Sequence, residues 1–187
     1  HAHARADEHA DACADGHAHQ DADACADEHA DGHADQDAHA VPINLLLNPG
    51  FESGTTGWTC RDCSLSVVSS PIHSGSQAAR VTNRRTNRAG IQQDITNVLA
   101  THGKGSYTLE AWVRMASGSA KVRVTVMVRG SSTSYFRVTC YANSTAWTRC
   151  SGTKNITWKG ALQEARFSVD TSSGTTSYYA DDCVLRR

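Results

Sequence analysis

Residues 41–187 predict an all-β sandwich, and three observations carry that prediction. Short runs rich in β-branched and aromatic residues succeed one another between clusters of Gly, Ser, Asn and Thr, at the spacing of antiparallel sandwiches. Period-two alternation is sharpest in residues 121–129 (KVRVTVMVR), where Val122, Val124, Val126 and Val128 share the core face and Arg123, Thr125, Met127 and Arg129 the outer one. Helical periodicity is confined to one short turn near residues 96–102.

The chain divides by composition at about residue 40. Residues 1–40 hold eight of the ten His, eleven of the nineteen acidic residues and one Arg, about −10 in formal charge. The remaining residues carry 17 Lys and Arg against 8 Asp and Glu, a formal +9, so a basic domain follows an acidic tail. With no Leu, Ile, Val, Phe, Trp or Tyr, the tail cannot bury a core, and disorder is expected of it. Alternating His and Asp with Cys13 and Cys25 allow a metal-sequestering tract, although no ligand spacing repeats. Codon arithmetic gives another reading: one base later, His-Ala and Asp-Ala become Thr-Pro, the composition of an extended linker between secreted modules. A gene without a GC-rich Thr-Pro frame under this segment would contradict that hypothesis.

The folded part opens with residues 44–58 (NLLLNPGFESGTTGW). Leu45, Leu46 and Leu47 break at Asn48-Pro49-Gly50, resume as Phe51-Glu52, and turn into Trp58, which predicts strand, kink, strand end, loop and strand. Further strands are predicted over 63–69, 77–83, 89–95, 106–115, 121–129, 134–141, 146–152, 164–170 and 178–185. In 106–115, alternation puts Tyr107, Leu109, Ala111, Val113 and Met115 inside and Glu110, Trp112 and Arg114 outside. Cys140 and Cys150 lie symmetrically about the 142–145 turn region, which predicts a disulfide clamping a hairpin in an oxidising compartment. Cys60 and Cys63 read as a structural link, internal or to Cys183, since no second C-x-x-C and no βαβ context supports a redox or zinc role. Asn143 and Asn155 begin glycosylation sequons. No apolar run is long enough to span a bilayer, so no membrane partner is expected.

The N-x-x-x-N-x-G-F-E and G-x-x-G-W elements of 44–58, then SSPIHSGSQAARVT (69–82), SYTLEAWVRM (106–115) and SYYADDCVL (177–185), resemble the jelly-roll carbohydrate-binding modules of families 4, 9 and 22, nearest to family 22. The resemblance covers residues 43–185. It implies a jelly roll, a polysaccharide partner rather than nucleic acid, secretion, and attachment to the catalytic domain of a larger protein. It also implies a structural Ca²⁺ held by Glu52 and by Asp181 or Asp182, with carbonyls from 48–50 and 73–76. Six to eight oxygen ligands suit that ion. In family 22 an Arg begins a loop that carries a key Trp; here RRTNRAG offers Arg84 for the Arg and Arg88 where the Trp is expected. Ser168 and Asp170 stand where the family offers a Tyr and a Glu. Guanidinium in place of an aromatic points to an acidic glycan, or to a lost site.

Sugar rings present flat apolar faces, so an outward Trp between polar neighbours suits them. Trp112 with Glu110 and Arg114 is the expected platform, and Arg123, Met127, Arg137, Arg166 and Asp170 are expected on neighbouring strands of the same sheet. The domain's eight acids are scattered, with no paired-carboxylate or nucleophile motif, which argues against a glycosidase. The competing class is a structural or adhesive jelly-roll domain that uses its basic surface or edge strands.

Overall fold

The computed structural model describes residues 43–187; the expectations for residues 1–40 lie outside the described residues. Two five-stranded antiparallel sheets close on one core. The first runs β1 (Thr59–Arg61), β4 (Gly90–Asp94), β9 (Glu164–Thr171), β6 (Ser119–Arg129), β7 (Thr133–Asn143). The second runs β2 (Ser64–Val68), β3 (Ala78–Thr82), β10 (Tyr178–Arg186), β5 (Gly105–Met115), β8 (Thr148–Ile156). Each predicted run beyond residue 60 forms a strand, and the turn near 96–102 is the helix α1 (Thr96–His102). The inward sets of β5 and β6 are buried as alternation requires: Tyr107, Leu109, Ala111 and Val113 from one sheet meet Val122, Val124, Val126 and Val128 from the other.

The three leucines at 45–47 differ from expectation. They join no ladder. Leu45 N–H donates to Leu185 O (2.8 Å), the Asn44 amide donates to Cys183 O (2.8 Å), and Leu47 N–H donates to the Gln93 side chain (2.8 Å). The segment is thus a strap along β10, held by isolated bonds to backbone carbonyls of that strand and to the Gln93 side chain rather than by a continuous ladder. The kink that follows depends on Asn48, which sits at φ 48°. Its amide donates to Gly54 O (2.9 Å), its side-chain oxygen accepts from Ser53 N–H (3.0 Å), and its carbonyl accepts from the Trp58 indole (3.0 Å). Asn tolerates the left-handed region better than most residues, and here it also ties both ends of the loop. Phe51 and Trp58 are delivered to the core 5.1 Å apart, with Phe167 of β9 6.1 Å beyond Trp58.

Most links between successive strands pass from one sheet to the other, and two short ones bear on the sequence reading. β5 leads to β6 through residues 116–118, with Gly118 at φ 61°, and β7 leads to β8 through 144–147. The Cys140–Cys150 disulfide forms, but it joins β7 of one sheet to β8 of the other, Cα atoms 5.4 Å apart, and therefore staples the sandwich rather than a hairpin. Cross-linking residues ten apart in sequence stabilises by about 3 kcal/mol in the chain-entropy account. Cys60 pairs with Cys63, and Cys183 is a buried free thiol.

Candidate functional site

The outer face of the first sheet carries an open groove of about 420 Å³. Alternation aims Arg123, Thr125, Met127 and Arg129 of β6 into it, with Glu164, Arg166, Ser168 and Asp170 of β9 beside them in register. β7 adds Thr133, Tyr135 and Arg137, β4 adds Gln92, and Arg61 and Arg88 complete the lining. Six arginines thus face two carboxylates. Asp170 is shared by Arg123 (2.7 Å) and Arg61 (3.4 Å); Glu164 is shared by Arg129 (2.7 Å) and Arg166. Burial pushes the Asp170 carboxyl up, and the contact with Arg123 works against that shift.

Arg84, offered by the resemblance as a ligand-binding residue, is instead buried at 6% exposure. Its Nε donates to Ala89 O (2.8 Å), one terminal nitrogen to Thr176 O (2.7 Å), and the other to Asn87 O (3.1 Å) and Thr171 Oγ1 (2.7 Å). The guanidinium lies 5.1 Å over the Tyr178 ring, and burial lowers its pKa from the ordinary value. Its donors hold the 84–90 loop against the 171–176 turn, so it positions rather than binds. Gly90 ends that loop because a side chain there would strike Val169 O at 2.2 Å and Tyr178 Oη at 2.9 Å. Arg88, where the family's Trp is expected, is exposed at the groove edge, and the Arg61 guanidinium donates to its carbonyl.

The structure separates the expected platform from this groove. β5 belongs to the second sheet, so Trp112, Glu110 and Arg114 lie on the opposite outer face from Arg123, Met127, Arg137, Arg166 and Asp170. The His73 imidazole covers Trp112 at 3.8 Å and 20°, and Trp147 meets the same imidazole edge-on at 5.8 Å. Glu110 is 5% exposed and accepts from Arg149 (2.7 Å) and Ser151 (2.8 Å). Burial opposes its ionisation, yet those two hydrogen bonds hold its carboxyl below the usual range. Arg114 donates to Ser144 O (3.1 Å), pinning the connection into β8.

Glu52, Asp181 and Asp182 gather around the 73–77 loop. A bulge between Asp181 and Val184, with Asp182 at φ 42°, turns both aspartates toward that loop. Asp181 Oδ2 accepts from the N–H groups of His73 (2.9 Å) and Ser74 (3.2 Å), and Asp182 contacts His73 Nδ1 (2.6 Å) and Ser74 Oγ (2.9 Å). The Ser76 hydroxyl, then the Ser76 and Gln77 N–H groups, hold the Glu52 carboxyl below its usual range. Burial, reinforced by the neighbouring Asp182 charge, pushes Asp181 up to about 6. A Cβ at Gly50 would lie 3.4 Å from Asp182 Oδ1, 3.8 Å from Asp181 Oδ1 and 4.0 Å from Glu52 Cγ, so the acids border a common space. Among the described residues no three His, Cys, Asp or Glu side chains converge as a ligand set. Hard oxygen donors of this kind fit Ca²⁺ provided backbone carbonyls complete the shell.

Arg61, Gln92, Thr133, Tyr135 and Glu164 are the groove residues that sequence reasoning passed over. The signal for Tyr135 is the alternation of SYFRVTCY, in which Tyr135 and Arg137 face away from Phe136 and Val138; the ring is 54% exposed with the Arg137 guanidinium 4.6 Å above it.

Among solved structures, the fold is similar to a family 22 xylan-binding domain from Paenibacillus barcinonensis, with TM-score 0.68 and 22% identity, covering 78% of this chain and 94% of that one. Among curated proteins, the chain is 28% identical over 152 residues to endo-1,4-beta-xylanase A of Thermoanaerobacterium saccharolyticum, covering 76% of this chain and 13% of that protein. It is 30% identical over 121 residues to exochitinase 1 of Streptomyces olivaceoviridis, covering 56% of this chain and 19% of that protein. The chain thus spans under a fifth of each curated relative. The pattern of the carbohydrate binding domain family matches residues 43–177, from the Asn44 strap almost to the start of β10. A sandwich of the right topology, an open groove lined with hydrogen-bonding side chains and a family match over most of its length have one joint consequence: this chain belongs to the carbohydrate binding domain family and is a non-catalytic binding module.

Proposed function

We propose that the groove on the β1-β4-β9-β6-β7 face binds a polysaccharide chain, and that the module holds an attached secreted glycoside hydrolase on its substrate. The observation that carries this reading is the groove itself: an open channel that pairs an exposed aromatic ring, Tyr135, with hydroxyl, amide and guanidinium donors at regular strand spacing. That combination suits a ligand with apolar ring faces and many hydroxyls. Tethering would raise the effective substrate concentration for a neighbouring catalytic domain. The xylanase and the chitinase, both far longer than this chain, support such an arrangement. The two disulfides support an oxidising, extracellular setting.

Tyr135→Ala tests the site. Loss of one stacking contact weakens binding by about tenfold, measured by affinity electrophoresis on the polysaccharide that the wild type retains. The thermal midpoint stays at the wild-type value, because the ring is mostly exposed. Unchanged retention would move the site off this face.

Ca²⁺ at the Glu52, Asp181 and Asp182 cluster belongs to the same reading. Asp181 is fully buried beside a second carboxylate; burial first, and that neighbour's charge after it, raise its pKa, and a cation there offsets both. A ligand bound only by the native state stabilises it. Adding EDTA to calcium-loaded protein therefore lowers the thermal midpoint, and Asp181→Asn abolishes that shift. A sample shown to contain calcium whose midpoint ignores EDTA would remove the ion from this cluster.

A further inference from the structure

We infer that the groove reads a carboxylate-bearing polysaccharide, a uronate polymer, through Arg88 and Arg137. This rests on the groove being the glycan site and goes on to name the ligand's charge. Four of the six groove arginines are committed, Arg61 and Arg123 to Asp170, and Arg129 and Arg166 to Glu164. Among the described residues no acid lies within ion-pair distance of Arg88 or Arg137, and both are exposed. Because each groove acid is already shared between two guanidinium groups, the net field in the groove is positive.

The two free arginines stand at opposite ends of the lining. Arg137 is on β7, the last strand of the sheet, and Arg88 is beside β1 and β4 at the other edge, where its carbonyl is gripped by Arg61. Four inter-strand steps of roughly 4.8 Å separate β1 from β7, about 19 Å in all. Between them a straight row crosses the strands: Gln92 is paired with Ser168, Ser168 with Thr125, and Thr125 with Arg137. Neutral amide and hydroxyl groups thus serve the middle of a bound oligosaccharide, and guanidinium groups its two ends. Tyr135 is the aromatic ring in the lining, and the Arg137 guanidinium already lies over one face of it. That contact occupies one face of a ring that remains 54% exposed, and it orients the guanidinium fork. A planar fork matches a carboxylate through two parallel hydrogen bonds, so charge-assisted contacts add to what this single ring supplies by stacking.

The test is binding of the full 187-residue chain to polygalacturonate, glucuronoxylan, unsubstituted xylan, mixed-linkage β-glucan, dextran sulfate and single-stranded DNA, at low and moderate salt. The expected result is at least about tenfold preference for the uronate polymers over their neutral counterparts, and a loss with salt once exposed charges are screened. Arg88→Gln and Arg137→Gln each lower uronate affinity by about tenfold, the loss of one charge-assisted contact, and together remove the preference with the thermal midpoint unmoved. Neutral binding that ignores salt and both Gln substitutions, yet falls in Tyr135→Ala, overturns the carboxylate inference and leaves the groove as the site. Retention by sulfate or DNA equal to that by uronate also overturns it. Absence of binding to every polymer overturns the groove reading with it.

Discussion

Arg84→Met unfolds this module at a thermal midpoint roughly 10 °C below the wild type, a cost on the order of 3 kcal/mol for a domain of this size. The loss comes from what Arg84 leaves behind. The carbonyls of Ala89, Asn87 and Thr176 and the Thr171 hydroxyl all take hydrogen bonds from one guanidinium that is 6% exposed. Met fills similar volume and relieves the cost of burying a charge, which is large enough to lower the Arg84 pKa. It offers no donor, however, and several buried acceptors without partners outweigh one relieved desolvation. Lys keeps the charge but not the fork, so Arg84→Lys falls between the two. Glycan affinity of the Met variant, read well below its midpoint, drops only as far as the 84–90 loop shifts Arg88. Denaturation curves check this directly; a midpoint within about 2 °C of wild type with glycan binding abolished would instead make Arg84 a ligand contact.

Local periodicity made the strands legible, because each strand buries alternate residues whichever sheet it joins. The valines of β6 and the inward set of β5 were therefore readable one strand at a time. Sheet membership was not. A three-residue link between two alternating strands reads as a hairpin, and the same alternation is equally satisfied when the second strand enters the core from the facing sheet. That one ambiguity accounts for both misplacements. It put Trp112 on the same sheet as Arg123 and Asp170, and it made the Cys140–Cys150 link a hairpin clamp instead of a staple between sheets. Arg84 failed for a different reason: nothing in R-R-T-N-R-A-G distinguishes an arginine that folds under its loop from one that points out, since either suits a polar loop. The β9 and β6 contributions to the groove, Arg123, Met127, Arg166, Ser168 and Asp170, were legible because they needed only the outward half of two alternating runs. The acids at 52, 181 and 182 were brought together as the motifs implied, although the bulge that aims both aspartates at the 73–74 loop has no signature in Y-Y-A-D-D-C.

Trp112→Ala separates the two faces of the sandwich. On the groove-bearing sheet nothing changes, so polysaccharide affinity stays within about twofold of wild type, well inside the effect of a lost contact. On the other sheet the indole is half-buried under His73, whose ring lies 3.8 Å away and nearly parallel, and whose N–H groups serve Asp181 and Asp182. Removing a partly buried Trp with its aromatic partner costs about 1–3 kcal/mol, less than a fully buried one because part of the ring already faces solvent. The 71–77 loop then loses the surface that His73 rests on, and with it the fixed approach of its N–H groups to the two aspartates. The variant should therefore show both a lower midpoint and a smaller response to EDTA than wild type, while Trp112→Phe recovers most of each by restoring a flat ring under the imidazole. Abolished glycan binding at an unchanged midpoint would reverse this assignment, making Trp112 the sugar platform and His73 a cover that the ligand displaces.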